Sequence, residues 1–230
     1  MNVFLSIPVV WVFLTLAVYF LAQKLHKRLK LVITTPILIT IVTIILVLIL
    51  LNVEFKVYNK GGKFISFFLG PSVVALGVLF YEKYEEIKNN IKPFIIAVTL
   101  GGLTSIFSAV FILSLLHAPD YLLRSLTPKS VTTPIAIEIS KSISGIPPIT
   151  AGVVIAVGIF GNAFGVYILK VLGIKSKTAI GSALGTASHG IGTARALEES
   201  EISGIYGGIA LCVNGCLTAL ISPYLINWIK

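Results

Sequence analysis

Residues 181–201 read GSALGTASHGIGTARALEESE. Ahead of its acidic end the stretch is apolar enough to enter a membrane. It nevertheless carries Ser188, His189 and Arg195, and four glycines, Gly181, Gly185, Gly190 and Gly192. Insertion scales penalise an arginine at the bilayer centre by roughly 2.5–3.5 kcal/mol, so ionisable residues in such a segment usually serve a function. Whether this stretch is a membrane helix decides the fold, and the rest of the chain answers that.

Of 230 residues, 56% are hydrophobic and only 12% charged, with a mean hydropathy of +0.99. A soluble domain carries about 25% charged residues. Half that share, with repeated apolar runs of about 20 residues, describes a helical membrane protein. A transmembrane barrel would show short alternating segments instead. No stretch between the runs is long enough for a soluble domain, so 1–230 reads as one all-α polytopic membrane domain. The net charge is +9. Its Lys and Arg sit mostly in short loops, which points to topology and anionic lipid, not to nucleic acid. Met1–Ala22 lacks a basic start and a cleavage site and reads as a retained membrane helix, not a signal peptide. Cys212 and Cys216 stand four apart with no other Cys and read as small buried packing residues. No metal-ligand set and no cofactor motif stands out.

The apolar segments are about 2–22, 32–51, 63–81, 93–116, 151–169, 178–197 and 203–229. Between them, 130–150 (SVTTPIAIEISKSISGIPPIT) holds Glu138, Lys141 and Pro134, Pro147 and Pro148. Such a segment survives at membrane depth only inside protein or beside water, so it reads as re-entrant or broken. If it dips in and returns, seven spans place 11 Lys/Arg on one side and 6 on the other; if it crosses, eight spans place 8 against 9. The positive-inside rule therefore favours seven spans, with the N-terminus outside and the C-terminus inside.

An internal repeat is visible. Thr34-Thr35-Pro36-Ile37-Leu38-Ile39-Thr40-Ile41 matches Thr132-Thr133-Pro134-Ile135-Ala136-Ile137-Glu138-Ile139 at six of eight positions. Lys60, Leu69, Gly70 and Gly77 align with Lys175, Leu184, Gly185 and Gly192 at one constant offset. In the seven-span topology the repeats 2–82 and 93–197 have opposite orientation and 203–229 is a final span. Inverted repeats of this kind build many secondary transporters, with sites on discontinuous helices near the midplane. The expected helix breaks are Pro36, Pro71, Pro134, Gly190 and Gly192.

A half-helix starting near Gly190 would offer free N–H groups and a positive dipole end to an anion. Arg195 can hold a carboxylate by two parallel hydrogen bonds, or it caps the segment with Glu198 or Glu199. His189 can donate to the same anion, carry a proton or simply pack. Ser188 and Thr186 would recognise hydroxyls, and Thr132 and Thr133 would face them. Glu138 and Lys141, three apart, share a helix face; they form a structural pair, or Glu138 couples an ion. Gly161-x-x-x-Gly165, Gly181-x-x-x-Gly185 and Gly204-x-x-x-Gly208 are close-packing patterns and make a homodimer an expectation. No Gly-x-Ser-x-Gly, HExxH or P-loop motif appears, and adjacent Ser188 and His189 would point about 100° apart in a helix, so no enzyme is expected.

Three stretches carry a family resemblance. Pro128–Ala136 (PKSVTTPIA) and Gly185–Ala196 (GTASHGIGTARA) resemble the signature stretches of the LrgB/CidB family, and Leu69–Leu76 (LGPSVVAL) resembles a third. The resemblance covers nearly the whole chain. It departs at Gly77–Tyr81, where family members more often have a second proline. It implies a multi-pass protein of the bacterial plasma membrane acting with a small LrgA/CidA-type membrane protein. It also implies two functions. Bacterial members are described as holin-like or antiholin-like proteins affecting murein hydrolase activity and lysis. A plastid relative translocates glycolate and glycerate, and some bacterial relatives are associated with pyruvate. Taken with the repeat, the expected function is ion-coupled transport of a small monocarboxylate, with an antiholin-like regulator as the alternative.

Overall fold

The computed structural model describes residues 7–29, 34–68, 71, 74, 75, 78, 81, 82, 84–88 and 91–228. Among these every regular element is a helix. The chain forms two compact units, Met1–Ala75 and Leu76–Lys230. Four helices, Pro8–Leu29, Ile91–Leu115, Pro147–Val171 and Glu201–Ile226, are long and apolar enough to cross a membrane. The all-α membrane class therefore stands.

In the first unit, α1 (Pro8–Leu29) packs on α2 (Pro36–Leu50) and α3 (Phe55–Phe67). Trp11 is buried and meets Tyr58 edge-on, ring centres 5.8 Å apart. A Cβ on Gly61 would lie 2.5 Å from the Pro8 carbonyl oxygen and 2.8 Å from Trp11 Cβ, so α1 and α3 touch there. Residues 52–63, expected as a loop, are thus largely helical. The reason is amphipathic spacing: Tyr58, Gly61 and Ile65 turn toward protein while Lys56, Lys60 and Lys63 are exposed. Part of the third apolar run, including Leu69, Gly70 and Gly77, lies outside the described residues. Pro71 is helical and exposed, with both following neighbours also outside.

The second unit begins with α4 (Tyr84–Ile87) and α5 (Ile91–Leu115), then α6 (Asp120–Leu126) and α7 (Thr133–Ser142). It continues with α8 (Pro147–Phe160), a π-helical turn at Gly161–Gly165, α9 (Val166–Val171), α10 (Lys177–Glu199) and α11 (Glu201–Trp228). Helix α11 follows α10 at Ser200. It runs antiparallel to the last part of α10, where Gly204 meets Leu197 and Gly207 meets Thr193, and parallel to the first part, where Ser203 meets Gly181 and Gly207 meets Gly185. Alanine at Gly181 would overlap the Ser203 carbonyl oxygen, and alanine at Gly185 would overlap that of Gly207. The adjoining face of α11 buries Tyr206 and Ala210 against Phe94 and Val98 of α5. Further along, Ile226 joins Ala136 and Ile139 of α7 and Val154 of α8. Because the buried positions of α11 recur on these faces, Cys212 and Cys216 fall on the remaining one. They are exposed, not buried as their spacing suggested.

Helix α7 has 10 residues, about 15 Å at 1.5 Å per residue. That is half a hydrocarbon core, so 130–150 contains no crossing helix of its own, in keeping with a re-entrant or broken segment. Ser144 (φ 60°) and Gly145 turn the chain from α7 into α8. A Cβ on Gly145 would lie 2.5 Å from Ser140 Oγ and 3.1 Å from the Ser125 nitrogen. The turn is tied to α6: Arg124 Nη1 donates to the Ile143 carbonyl at 2.8 Å, and the Ile146 N–H donates to Ser125 Oγ at 2.8 Å. Arg124 is buried and Lys129 half-buried. Two cations counted as loop charges therefore sit within protein.

Pro36 and Pro134 occupy the first turns of α2 and α7. They start helices and break none, since proline's missing N–H is unpaired in a first turn anyway.

Candidate functional site

Helix α10 is broken inside, at Ser188 (φ −133°, ψ 19°) and His189 (φ 45°, ψ −138°). The break falls just before the glycines expected to cause it; Gly190 and Gly192 are helical. Gly192 has a packing role instead, because a Cβ there would overlap the Leu184 carbonyl oxygen and meet Ser188 Cβ at 2.7 Å. The face of the second half-helix at Gly192 is therefore filled and has no room for an anion.

Irregular backbone at membrane depth persists only where neighbours satisfy it, and here side chains do so. Asn214 Nδ2 of α11 donates to the Thr186 carbonyl at 3.0 Å. Thr193 Oγ1 donates to the His189 carbonyl at 2.8 Å. Asn162 Nδ2, from the π-helical turn, donates to the Ile191 carbonyl at 3.3 Å. The same π turn receives the break: a Cβ on Gly161 would overlap Ser188 Oγ. The His189 ring lies over Gly158 and its Nε2 donates to the Val154 carbonyl at 2.9 Å. A carbonyl only accepts, so Nε2 carries the hydrogen. Ser188 and His189 thus serve separate neighbours.

His189 pays for its place with a backbone conformation that glycine adopts most readily, worth about 1–3 kcal/mol of strain. In an ordinary helix interior alanine is favoured over glycine by about 1 kcal/mol. Here the order is expected to invert, with His189→Gly more stable than His189→Ala by about 1–2 kcal/mol. Thermal melting of the two variants in detergent checks this, and an alanine variant that melts higher would refute the strain.

A cavity of about 620 Å³ lies between α5 and α10. Phe94, Ala97, Val98 and Gly101 make its walls mainly apolar, and Ser105, Thr178, Ser182, Thr186 and Tyr206 are the hydroxyl-bearing residues that line it. Thr186 is buried and its Oγ1 has no partner among the described residues. Behind the cavity, Ser105 Oγ and Ser130 Oγ share a hydrogen bond of 2.7 Å. Lys129 Nζ donates to Ser105 Oγ at 2.7 Å and to Ser130 Oγ at 3.2 Å. Asn214 Nδ2 also reaches the Ser130 carbonyl, at 3.3 Å. The stretches 128–136 and 185–196 thus meet through Asn214.

Of the residues singled out in the sequence, Thr186 lines the cavity, while Ser188 and His189 form the break. Thr132 and Thr133 begin α7 and are half-buried. Glu138 pairs with Lys141 at 2.7 Å, both largely exposed. Arg195 binds Glu198 at 2.9 Å and Glu199 at 2.7 Å, and Glu199 also takes Lys170 at 3.0 Å. Neither Arg195 nor Lys129 is in the cavity lining, but Lys129 reaches it by donating to the lining residue Ser105. The glycine faces at 161/165 and 181/185 are occupied within the chain by Ser188, Leu184, Ser203 and Gly207. Sequence reasoning missed Ser105, Asn162 and Asn214, whose only signal is a polar side chain in an apolar run. Lys129 and Ser130 stood in a family signature but were given no role.

Residues 15–228 match the LrgB-like family. An antiholin-like protein LrgB of Bacillus cereus (strain B4264) is 32% identical, the match covering 96% of this chain and 97% of that one. The uncharacterized protein YwbG of Bacillus subtilis (strain 168) is 34% identical, covering 96% and 99%. An uncharacterized protein of Haemophilus influenzae is 31% identical, covering 95% of each. No solved structure matches. The signature residues that form the broken helix and its supports lie inside the matched span, and the chain belongs to the LrgB-like family of multi-pass proteins of the bacterial cell membrane.

Proposed function

We propose that this protein transports a small monocarboxylate of the glycolate, glycerate or pyruvate class, coupled to an ion. The observation that carries the reading is the break at Ser188–His189 seated on the π turn Gly161–Gly165. A discontinuous helix held inside a bundle is how secondary transporters build sites, and here it rests on a π-helical turn of a continuous neighbour. The cavity beside the break has ample volume for such a ligand. Glu138 is the candidate coupling group, and a small LrgA/CidA-type membrane protein and a second copy of the chain are the candidate partners.

A second reading, an antiholin-like regulator of murein hydrolase activity and lysis, is favoured by a different observation. Relatives matching nearly the whole chain bear the name antiholin-like protein LrgB. Those names support regulation directly, whereas transport rests on geometry alone.

Uptake of labelled glycolate, glycerate and pyruvate into proteoliposomes separates the two, with and without an LrgA/CidA-type protein. Transport predicts saturable uptake of at least one. Absence of uptake in both conditions, with altered lysis of cells lacking the protein, would leave regulation as the function.

A further inference from the structure

We propose that Lys129, with Ser105 and Thr186, forms the anion site of this protein, and that the site takes a single small monovalent anion and rejects dianions. The proposal rests on the transport reading and names the residues that would hold its substrate.

Lys129 is half-buried, and among the described residues no carboxylate pairs with it. Two other buried or partly buried cations of this unit differ: Arg124 has Asp120 and Arg195 has two glutamates. An ammonium has three donors. Two go to the Ser105 and Ser130 hydroxyls, at 2.7 and 3.2 Å, and these are neutral groups. A cation held in the protein part of a membrane without a counter-charge is costly, and a bound anion offsets that cost.

Two independent features point the same way. Thr186, only 6% exposed, belongs to the cavity lining, and its buried hydroxyl has no partner among the described residues. Helix α7, 10 residues long, begins at Thr133, close in sequence to Lys129, with its positive end toward this segment. Ser105 is the link, since it both lines the cavity and accepts from Lys129 Nζ.

The charge balance sets the ligand class. One lysine compensates one negative charge. The residues lining the cavity include hydroxyls but no cation to meet a second. A dicarboxylate would leave one ionised group against apolar surface, whereas a short chain bearing a hydroxyl or keto group fits.

Isothermal titration calorimetry on the full chain in detergent tests the site, using sodium glycolate, pyruvate, malonate and bromide. Glycolate or pyruvate is expected to bind, with malonate at least about tenfold weaker. Lys129→Met is expected to weaken binding about 30-fold or more, and Ser105→Ala about 5- to 10-fold. Lys129→Arg should retain part of it. If Lys129→Met fails to fold, as judged by its melting, Ser105→Ala carries the test. Carboxylate binding that survives both changes overturns the site but leaves the transport reading intact. A loss at Arg195→Gln with none at Lys129→Met does the same and returns the anion to Arg195. Bromide binding that depends on Lys129, without carboxylate binding or uptake, keeps the site and rejects the transport reading. Binding of none of these anions rejects the site.

Discussion

Alanine at both Gly181 and Gly185 is expected to cost the protein a large share of its stability. Each added Cβ overlaps a backbone carbonyl oxygen of α11, at Ser203 and Gly207. The neighbouring atoms are no more forgiving: Ser203 Cα lies 2.9 Å from the first and Gly207 Cα 2.7 Å from the second. Backbone cannot rotate away as a side chain does, so α10 and α11 must separate along their seam. Overpacking costs about 1–3 kcal/mol per site, or roughly 2–6 kcal/mol for the pair, against a total stability of about 5–15 kcal/mol. The seam also positions Thr186 against Asn214, so the anion site is expected to be lost with it. Gly152→Ala is the matched control. It is also helical, nothing lies within 4 Å of its Cβ, and alanine there should be neutral or stabilising by up to about 1 kcal/mol. Thermal melting in detergent, read by loss of the monodisperse peak, decides the matter. A double variant melting within about 2 °C of the parent would refute the seam.

Asn214→Leu is expected to have the second-largest effect. The Asn214 amide is 1% exposed and donates to the carbonyls of Ser130 and Thr186. Leucine has nearly the same size but no donor. It strands two buried acceptors, each costing about 1–3 kcal/mol when unsatisfied. Its methyl groups must also fit against Gly102, whose built Cβ already overlaps Asn214 Oδ1. A destabilisation of about 2–4 kcal/mol follows. Asn214→Gln keeps the amide but lengthens the side chain, and it should fold better than leucine while still weakening glycolate binding. Equal melting of Asn214→Leu and the parent would show that the amide bridges nothing of consequence.

Together these two changes probe different layers of one arrangement. The glycine seam sets the distance between α10 and α11. The amide then uses that distance to hold 130 and 186 together beside the cavity. On the transport reading, the strained His189 and the π turn are the parts able to shift while these supports stay fixed.

The sequence alone determined the class, because a bilayer imposes its own composition: 56% hydrophobic residues and 12% charged leave no soluble alternative. It also exposed interactions within one turn of helix, where spacing is geometry. Glu138 with Lys141, and Arg195 with Glu198 and Glu199, pair three or four residues apart and were legible as alternatives. The glycines announced a break in α10 and nearly its position. Only the tertiary structure decided the site, because its contacts join residues far apart in the chain. Lys129 meets Ser105 across 24 positions, His189 meets Val154 across 35, and Asn214 meets Ser130 across 84. No periodicity encodes such pairs; they depend on which helices adjoin. For the same reason the segment 181–201 changed its role. Its arginine binds its own glutamates, while its buried threonine belongs to the wall of a cavity whose Ser105 accepts from Lys129, in the connection between α6 and α7.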